Sequence, residues 1–287
     1  MAEGSSPAEG SSPTAEGSSP QRVALWIEYD GSRYSGWQLQ RGSSVSSVQG
    51  ALEEAAGFVA DQAVRLHCAG RTDAGVHATN QLVHFDSTNA REPQSWLRGC
   101  NARLPNSIAV RQAQLVPADF HARFSALSRR YRYLIYNHSV RPALGDQYLT
   151  WVRQALDVEM MHEEAQALPG EQDFSSFRAS SCQSATAMRC VDFIEVYRRG
   201  KLVVIDIQAN AFLHHMVRNI AGTLIAVGKG VLPRGWVKEL LGLRDRRRAA
   251  DTAAANGLYL VGVNYPPQFG LETPPPGPLW LEQEMPA

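Results

Sequence analysis

The sequence predicts an α+β fold with layered helices and strands, and three observations support this. Hydrophobic residues make up 44% of the 287 residues, which is enough for a substantial core. Helical and strand-like periodicities follow one another in the order β-α-β-β-α-β, and that order occurs twice. Low-complexity sequence is confined to the two ends. We therefore expect two similar structural halves between two tails.

The first copy of the pattern lies between residues 21 and 120. Apolar residues at helical spacing predict helices over 45–59 and 94–102. Alternating or short apolar runs predict four strands, over 22–29, 64–68, 81–85 and 108–115.

The second copy lies between residues 121 and 265. Its predicted helices are 158–168 and 213–227. Its predicted strands are 130–137, 191–197, 202–209 and 257–264. A β-α-β-β-α-β unit is the ferredoxin-like motif. We therefore expect two ferredoxin-like halves with joined, mostly antiparallel sheets and a central cleft between them.

The two ends differ from this body in composition. Residues 1–20 contain three copies of Ala-Glu-Gly-Ser-Ser-Pro, which offers nothing to bury and predicts a disordered tail. Residues 266–287 are rich in proline and predict a second, flexible C-terminal tail.

The formal net charge is zero, with 28 basic and 28 acidic residues, and at face value this argues against a nucleic-acid partner. Six of the acidic residues lie in residues 1–20 and 271–287, which contain no Lys or Arg. The body between them has a charge of +6, and 25 of its 28 basic residues are Arg. Because the guanidinium fork fits phosphate and stacks on flat rings, the body is compatible with RNA. An Arg bias from a GC-rich genome is the alternative.

Several protein classes are excluded by pattern. No apolar run reaches the roughly 18 residues of a membrane span, and the N-terminus lacks a secretory signal. The four cysteines are scattered without a C-x-x-C pair, which argues against a disulfide framework and a zinc site. We expect a cytoplasmic protein.

The segment from Cys68 to His77 is the most informative stretch. It lies between two predicted strands, and Gly70 and Gly75 bracket Asp73, as in a tight loop whose backbone approaches a ligand. A carboxylate in such a loop can act as a nucleophile or base. The alternative is an Asp that caps a turn. No other acidic residue lies in a comparable loop, so a paired-carboxylate site is not predicted.

Two further segments interleave aromatic and basic residues. The loop from Glu28 to Gln38 carries Tyr29, Arg33 and Trp37, which could stack on bases and contact phosphates, or form a turn with surface aromatics. On the strand at 130–137, Arg130 and Arg132 face one way and Tyr131 and Tyr133 the other. That alternation fits an RNA surface and a sheet with a tyrosine face in the core equally well.

The predicted helix at 213–227 opens with a pair of histidines. His214 and Arg218 are four residues apart and share a face. We do not predict a metal site, because adjacent helical residues point about 100° apart and the sequence indicates no third ligand. Arg218 is expected to pair with a carboxylate, and Asp206 is a competitor for it.

These motifs together resemble the bacterial TruA family of tRNA pseudouridine synthases, which act on positions 38–40. The resemblance extends from about Arg22 to Leu281, and the string Gly-Arg-Thr-Asp-Ala-Gly-Val-His at 70–77 is highly specific for the family. The repeated N-terminal hexamer has no counterpart in the family pattern. The resemblance implies the pseudouridine synthase fold and an isomerase that acts on uridines 38, 39 and 40 of the tRNA anticodon stem-loop.

The resemblance also implies roles for individual residues. It makes Asp73 the essential carboxylate and Tyr131 the side chain that packs on the target base. Arg71 would flip the nucleotide, Arg218 would pair with the catalytic carboxylate, and Leu258 would form the pocket floor. Further RNA contacts are expected among the loop and strand residues already described: Tyr29, Arg33, Trp37, His77, Arg130 and Arg132.

The family implies a homodimer whose two subunits bind one tRNA, with no cofactor and no metal. The alternative function is a non-catalytic RNA-binding or tRNA-chaperone module on the same fold, because fold alone does not prove activity.

Overall fold

The computed structural model describes residues 20–39, 46–272 and 274–281. The tail predicted for residues 1–20 lies outside the described residues, apart from Pro20. Within the described ranges, no helix is long and apolar enough to cross a membrane.

The first predicted half contains all six of its expected elements. They are β1 (Gln21–Tyr29), α1 (Val48–Ala60), β2 (His67–Cys68), β3 (His77–Ser87), α2 (Pro93–Asn101) and β4 (Ile108–Val116). Helix α1 begins later than predicted because Ser47 caps it, accepting a hydrogen bond from the Gly50 backbone N–H at 3.1 Å.

The second half contains its six expected elements and three more. The elements are β5 (Ser128–Asn137), β6 (Thr150–Val152), α3 (Val158–Ala165), β7 (Gly170–Asp173), β8 (Met188–Arg199), β9 (Leu202–Ala209), α4 (Met216–Gly228), α5 (Trp236–Leu243) and β10 (Leu258–Asn264). The sequence did not predict β6, β7 or α5, which are only three to eight residues long. The predicted boundary at residue 120 falls in the connection between β4 and β5.

The ten strands of the described residues form one sheet. Its main path is β4-β1-β3-β10-β5-β9-β8-β7, with β2 paired to β3 and β6 to β5. Each half therefore has the same order, β4-β1-β3-β2 in the first and β10-β5-β9-β8 in the second. The predicted α+β fold with two β-α-β-β-α-β halves is confirmed.

The two halves meet where β3 and β10 run parallel. His77 pairs with Tyr259 and Ala78 with Leu260 at the start of both strands. Because the Asp73 loop leads directly into His77, the fold places that loop at the seam between the halves.

Strand β5 has two chemically different faces, as its alternation predicts. Tyr131 and Tyr133 are buried in the larger core, together with residues of α4. Arg130 and Arg132 lie on the opposite face, where both pair with Asp206 of β9. The tyrosine face of β5 therefore packs in the core, and both arginines of the other face form ion pairs with Asp206.

The C-terminal segment differs from the predicted flexible tail. Arg132 donates hydrogen bonds to the carbonyls of Pro276 and Gly277, and Asn80 donates to that of Pro275. Leu281 is buried in a small cluster on this sheet face. The described part of the segment packs on the sheet because arginine and asparagine donors satisfy its proline-rich backbone.

Candidate active site

Asp73 lies on the loop between β2 and β3, at a tight turn. The Val76 backbone N–H donates to the Asp73 carbonyl at 3.1 Å, and Gly75 at the third turn position has φ of +77°. Glycine adopts this left-handed conformation without a Cβ clash. The predicted role of Gly75 in a tight loop is thus explained by the backbone.

The segment after β1 braces the Asp73 loop. The Trp37 N–H donates to the Thr72 carbonyl at 3.0 Å, and the Tyr29 and Thr72 hydroxyls are 2.8 Å apart. Gly36 has φ of +101°, and a Cβ there would lie 2.8 Å from the Thr72 carbonyl oxygen. Only glycine permits this approach, which fixes the backbone beside Asp73.

Three cationic or potentially cationic groups surround the Asp73 carboxylate. The Nε2 atoms of His214 and His215 lie 3.2 Å from Oδ1 and 3.3 Å from Oδ2, respectively. Arg218 Nη1 lies 3.7 Å from Oδ2. The Asp73 side chain remains 27% exposed. An accessible carboxylate with a guanidinium partner can act as a nucleophile or as a base.

The two histidines reach one carboxylate because they precede α4 and do not belong to it. Helix α4 begins at Met216, later than the predicted Leu213. His215 has φ of +60°, an uncommon conformation for a residue with a Cβ. Its carbonyl accepts from the Asn219 N–H at 2.9 Å. The two imidazole centroids are 4.0 Å apart, so the angular objection drawn from helix geometry does not apply.

The third ligand that the sequence did not indicate is Asp73 itself. One donor atom from each of Asp73, His214 and His215 lies within 4.8 Å of the others. These three side chains could therefore hold a metal ion.

Burial lowers the pKa of His215, with further lowering from His214, Arg218 and Arg246, while the nearby Asp73 charge opposes the shift. The net effect favours the neutral form of the His215 imidazole.

Arg218 pairs with Asp73 and not with Asp206. Its Nε donates to the Ala253 carbonyl at 2.8 Å, which orients the guanidinium toward Asp73. Asp206 lies across the sheet with Arg130 and Arg132. The expectation that Asp206 competes for Arg218 is wrong, because the two groups are on opposite faces.

Tyr131 is buried next to the Asp73 loop. A Cβ on Gly70 would lie 3.6 Å from the Tyr131 hydroxyl, and the tyrosine ring meets Phe212 edge-on with centroids 5.1 Å apart. Burial raises the pKa of Tyr131, and the Asp73 charge raises it further. The phenol therefore stays protonated at neutral pH.

Leu258 and Arg71 occupy contrasting positions. Leu258 begins β10, pairs with Tyr133 and belongs to the same buried core as Tyr131. Arg71 lies two residues before Asp73 and is exposed. The structure thus places apolar Leu258 beside Tyr133 and leaves the Arg71 side chain exposed on the Asp73 loop.

Three of the expected RNA contacts are buried. Tyr29, Trp37 and His77 are exposed by 3%, 2% and 1%. His77 Nδ1 accepts from the Gly31 N–H at 3.1 Å, and its ring stacks on Tyr259. The expectation of direct RNA contact is corrected for these three residues, because their side chains support the Asp73 loop and the seam.

The remaining arginines among the expected contacts separate into two kinds. Arg33 is exposed on the loop after β1, a position consistent with the expected RNA contact. Arg130 and Arg132 both donate to the Asp206 carboxylate, and Arg132 also binds the C-terminal segment. The expectation that Arg130 and Arg132 contact RNA is corrected, since their guanidiniums are already engaged.

The sequence contains the His214–His215 pair but does not predict that both side chains converge on Asp73. It also contains the Arg123–Phe124 pair before the strand at 130–137, but it gives this pair no individual role. Phe124, next to Arg123, is 76% exposed. Arg129 donates hydrogen bonds to the carbonyls of Arg123 and of Ala69 in the Asp73 loop, which places the Arg123–Phe124 pair near that loop. The Arg-Phe dipeptide is the only signal that the sequence itself offers for the Arg123–Phe124 pair.

The chain matches the model of a known protein family. A family model described as tRNA pseudouridine synthase matches residues 25–125 and 165–266. The matched ranges include the Asp73 loop, Arg218 and Leu258.

Several curated relatives are similar over nearly their whole length. "tRNA pseudouridine synthase A" of Escherichia fergusonii is 56% identical over 260 residues, covering 91% of this chain and 96% of the relative. The protein of the same name from Salmonella typhimurium is 55% identical over 266 residues, covering 93% and 98%. A chain from a solved Cbf5-Nop10-Gar1 complex matches with 15% identity, 60% and 39% coverage and a TM-score of 0.27, too low to support an argument.

Proposed function

Because this chain belongs to the tRNA pseudouridine synthase family, it is an isomerase that forms pseudouridine in tRNA, and we propose that it modifies uridines 38, 39 and 40 of the anticodon stem-loop with Asp73 as its essential carboxylate. The positions come from the sequence resemblance to the TruA family. The role of Asp73 is supported by its own surroundings.

The observation that carries the proposal is the combination of accessibility and charge at Asp73. The side chain is 27% exposed on a glycine-dependent turn, and Arg218 lies 3.7 Å from Oδ2. A nearby guanidinium favours the ionised carboxylate, and partial exposure leaves room for a reacting sugar.

The reaction keeps every heavy atom of the nucleotide and replaces the hydrogen on C5 by one on N1. The bond between uracil N1 and ribose C1′ breaks, the base turns, and C5 bonds to C1′. The hydrogen on C5 leaves as a proton, and N1 gains one. Asp73 acts either as a nucleophile at C1′ or as a base at C2′, and both roles require an ionised oxygen.

The target base must leave the stacked anticodon arm before it reaches Asp73, which costs a few kcal/mol. We assign exposed Arg71 to the place in the anticodon arm that the flipped base leaves. Arg33 and the Arg123–Phe124 pair supply further charge and a stacking surface that offset the cost.

Tyr131 and Leu258 are assigned to the apolar wall that receives the flipped base. The Tyr131 phenol stays neutral because burial and Asp73 both raise its pKa, so it packs without adding charge. An apolar wall also limits water, which would otherwise release free uracil and leave an abasic site.

The reaction needs no cofactor and no metal in this proposal, because it involves no net oxidation and no transferred group. We further assign a homodimer that binds one tRNA across both subunits and a cytoplasmic location. A dimer would double the +6 charge of the body around the RNA.

A non-catalytic RNA-binding module is not favoured. The curated relatives that this chain matches over 96% and 98% of their length carry the name of a synthase.

The proposal is tested with tRNA transcripts that carry 5-³H-uridine at only one of positions 38, 39 and 40. Release of tritium reports chemistry at C5, and free uracil is measured in the same reaction. We expect tritium release from each transcript without free uracil. Tritium retained in any one transcript would contradict the assignment of that position, and stoichiometric free uracil would indicate a glycosidase.

A further inference from the structure

The histidine pair at Asp73 forms a donor set that the proposed isomerisation does not use. His214 Nε2 and His215 Nε2 lie 3.2 and 3.3 Å from the two Asp73 oxygens. Ligand atoms at about 2.0–2.1 Å from a tetrahedral zinc ion are roughly 3.3 Å apart. Each histidine nitrogen is therefore at a ligand-to-ligand distance from one carboxylate oxygen, and one donor atom of each side chain lies within 4.8 Å of the others. We propose that Asp73, His214 and His215 bind a divalent cation of the zinc class, and that the bound cation reversibly blocks pseudouridine formation.

The His214 imidazole is already oriented for this role. Its Nδ1 lies 2.9 Å from the Ser181 hydroxyl, which leaves Nε2 directed at Asp73. In metal sites, a hydrogen bond to the second ring nitrogen fixes the orientation and the tautomer of the ligating imidazole. Ser181 provides that hydrogen bond.

The His215 imidazole is held by backbone geometry. The residue has φ of +60° immediately before α4, and this left-handed conformation turns its ring to within 4.0 Å of the His214 ring, measured between centroids. Such backbone conformations cost energy for a residue with a Cβ and persist where the surroundings enforce them. The turn is what allows two consecutive histidines to face the same carboxylate.

The donor chemistry and charge define the cation. Two imidazole nitrogens and one carboxylate suit Zn²⁺, Co²⁺ or Ni²⁺, whereas Mg²⁺ prefers oxygen ligands. The ligand side chains are 27–37% exposed, so a cation can enter from solvent. Arg218 lies 3.7 Å from one Asp73 oxygen and repels a cation, which points to a reversible inhibitor and not a resident cofactor.

A bound cation would inhibit the reaction because the Asp73 carboxylate would be both the cation ligand and the proposed reactive group. A cation on Asp73 occupies the oxygen lone pairs that the sugar or its proton must reach. This part rests on the proposed role of Asp73, whereas cation binding itself does not. The two parts are therefore measured separately.

Binding is measured on the full chain without tRNA, by titrating Co²⁺ and recording its visible absorption. We expect saturation at one Co²⁺ per chain and displacement by Zn²⁺. His214→Gln and His215→Asn should each weaken binding at least about tenfold, as should Asp73→Asn. Asparagine is chosen at residue 215 because it tolerates a left-handed backbone.

His138→Ala is the matched control, since His138 lies in the loop after β5 and contributes no donor to the Asp73 group. It should bind Co²⁺ as the unmodified chain does. Absence of saturable binding, or binding that survives all three site substitutions, would overturn the proposed site whether or not the chain modifies tRNA.

Inhibition is measured by tritium release from 5-³H-uridine tRNA with Zn²⁺, and with Mg²⁺ as the control cation. We expect loss of activity at Zn²⁺ concentrations that saturate the site, recovery with EDTA, and no loss with Mg²⁺. Full activity at saturating Zn²⁺ would overturn the inhibitory role.

Discussion

Asp206 and Asp73 both face arginine, but their surroundings differ in almost every other respect. Asp206 is 1% exposed, with Arg130 Nε at 2.7 Å and Arg132 Nε at 2.8 Å from its oxygens. Asp73 is 27% exposed, with the two histidine nitrogens 3.2 and 3.3 Å and Arg218 Nη1 3.7 Å from its oxygens. One carboxylate closes a sheet face, and the other lies open at the seam between the halves.

The difference shows what separates a structural ion pair from the carboxylate that we propose as the reactive group. Charge-assisted hydrogen bonds of 2.7–2.9 Å are strong, and Asp206 accepts three of them from two guanidiniums. Both Asp206 oxygens are therefore occupied by hydrogen bonds within the fold. The Asp73 carboxylate keeps a guanidinium neighbour at a longer distance and retains access to solvent. Completeness of pairing, and not the presence of an arginine, therefore distinguishes the two.

The largest expected effect is on chemistry at the open carboxylate. Asp73→Asn removes the ionised oxygen with little change in shape, so kcat for pseudouridine formation should fall at least about 10³-fold. Affinity for tRNA should stay close to that of the unmodified chain, because phosphate contacts dominate binding. Tritium release and filter binding measure the two quantities, and near-normal turnover would show that Asp73 is dispensable.

The next effect is on stability at the closed carboxylate. Asp206→Ala leaves Arg130 and Arg132 without their shared acceptor, and the free energy of unfolding should fall by about 3–5 kcal/mol. Exposed Asp192 on the neighbouring strand β8 provides a matched control. Asp192→Ala should change stability by no more than about 0.5 kcal/mol. Equal urea midpoints for the two variants would remove the distinction between a closed and a surface carboxylate.

A buried histidine of the first half should make the stability of the protein sensitive to acid. Burial on β3 lowers the pKa of His84 to about 4, with His121 and His67 adding to the shift. The unfolded chain therefore binds a proton at His84 first, and stability should fall as pH decreases from about 6.5 toward 4. His84→Gln should flatten that decline in thermal unfolding experiments. An unchanged slope would assign the acid sensitivity to other groups.

The smallest expected effect separates an open arginine from a closed one. Arg71 is exposed beside Asp73, whereas Arg130 is bound to Asp206. Arg71→Gln should reduce the slope of log tRNA affinity against log salt concentration by about 1, as expected for one lost phosphate contact. Arg130→Gln should leave that slope unchanged and lower stability instead. A smaller salt-dependence slope for Arg130→Gln would show that Arg130 does contact RNA.

Much of the architecture could be predicted because periodicity encodes it locally. The repeated β-α-β-β-α-β order and the opposite faces of Tyr131 and Arg130 both follow from side-chain spacing. Strands β6 and β7 were missed because three or four residues contain too little periodicity to recognise. The C-terminal segment was misjudged because its binding depends on Arg132 and Asn80, which are distant in sequence.

The candidate site was only partly predictable for a similar reason. Two glycines around Asp73 mark a tight loop in the sequence itself, and the resemblance to a known family adds Arg218 and Tyr131. Alternation cannot reveal which strand face is covered, so Arg130 and Arg132 were expected to meet RNA. The convergence of His214 and His215 on Asp73 depends on a left-handed residue before α4, and nothing in local spacing indicates that turn.

The most direct test compares Asp73→Asn and Asp206→Asn in one experiment, with the single-turnover rate of tritium release divided by the fraction of folded protein. Per folded molecule, Asp206→Asn should react at close to the rate of the unmodified chain, and Asp73→Asn should release no tritium above the enzyme-free background. Equal losses in the two variants, or clear release by Asp73→Asn, would contradict the assignment of chemistry to the open carboxylate.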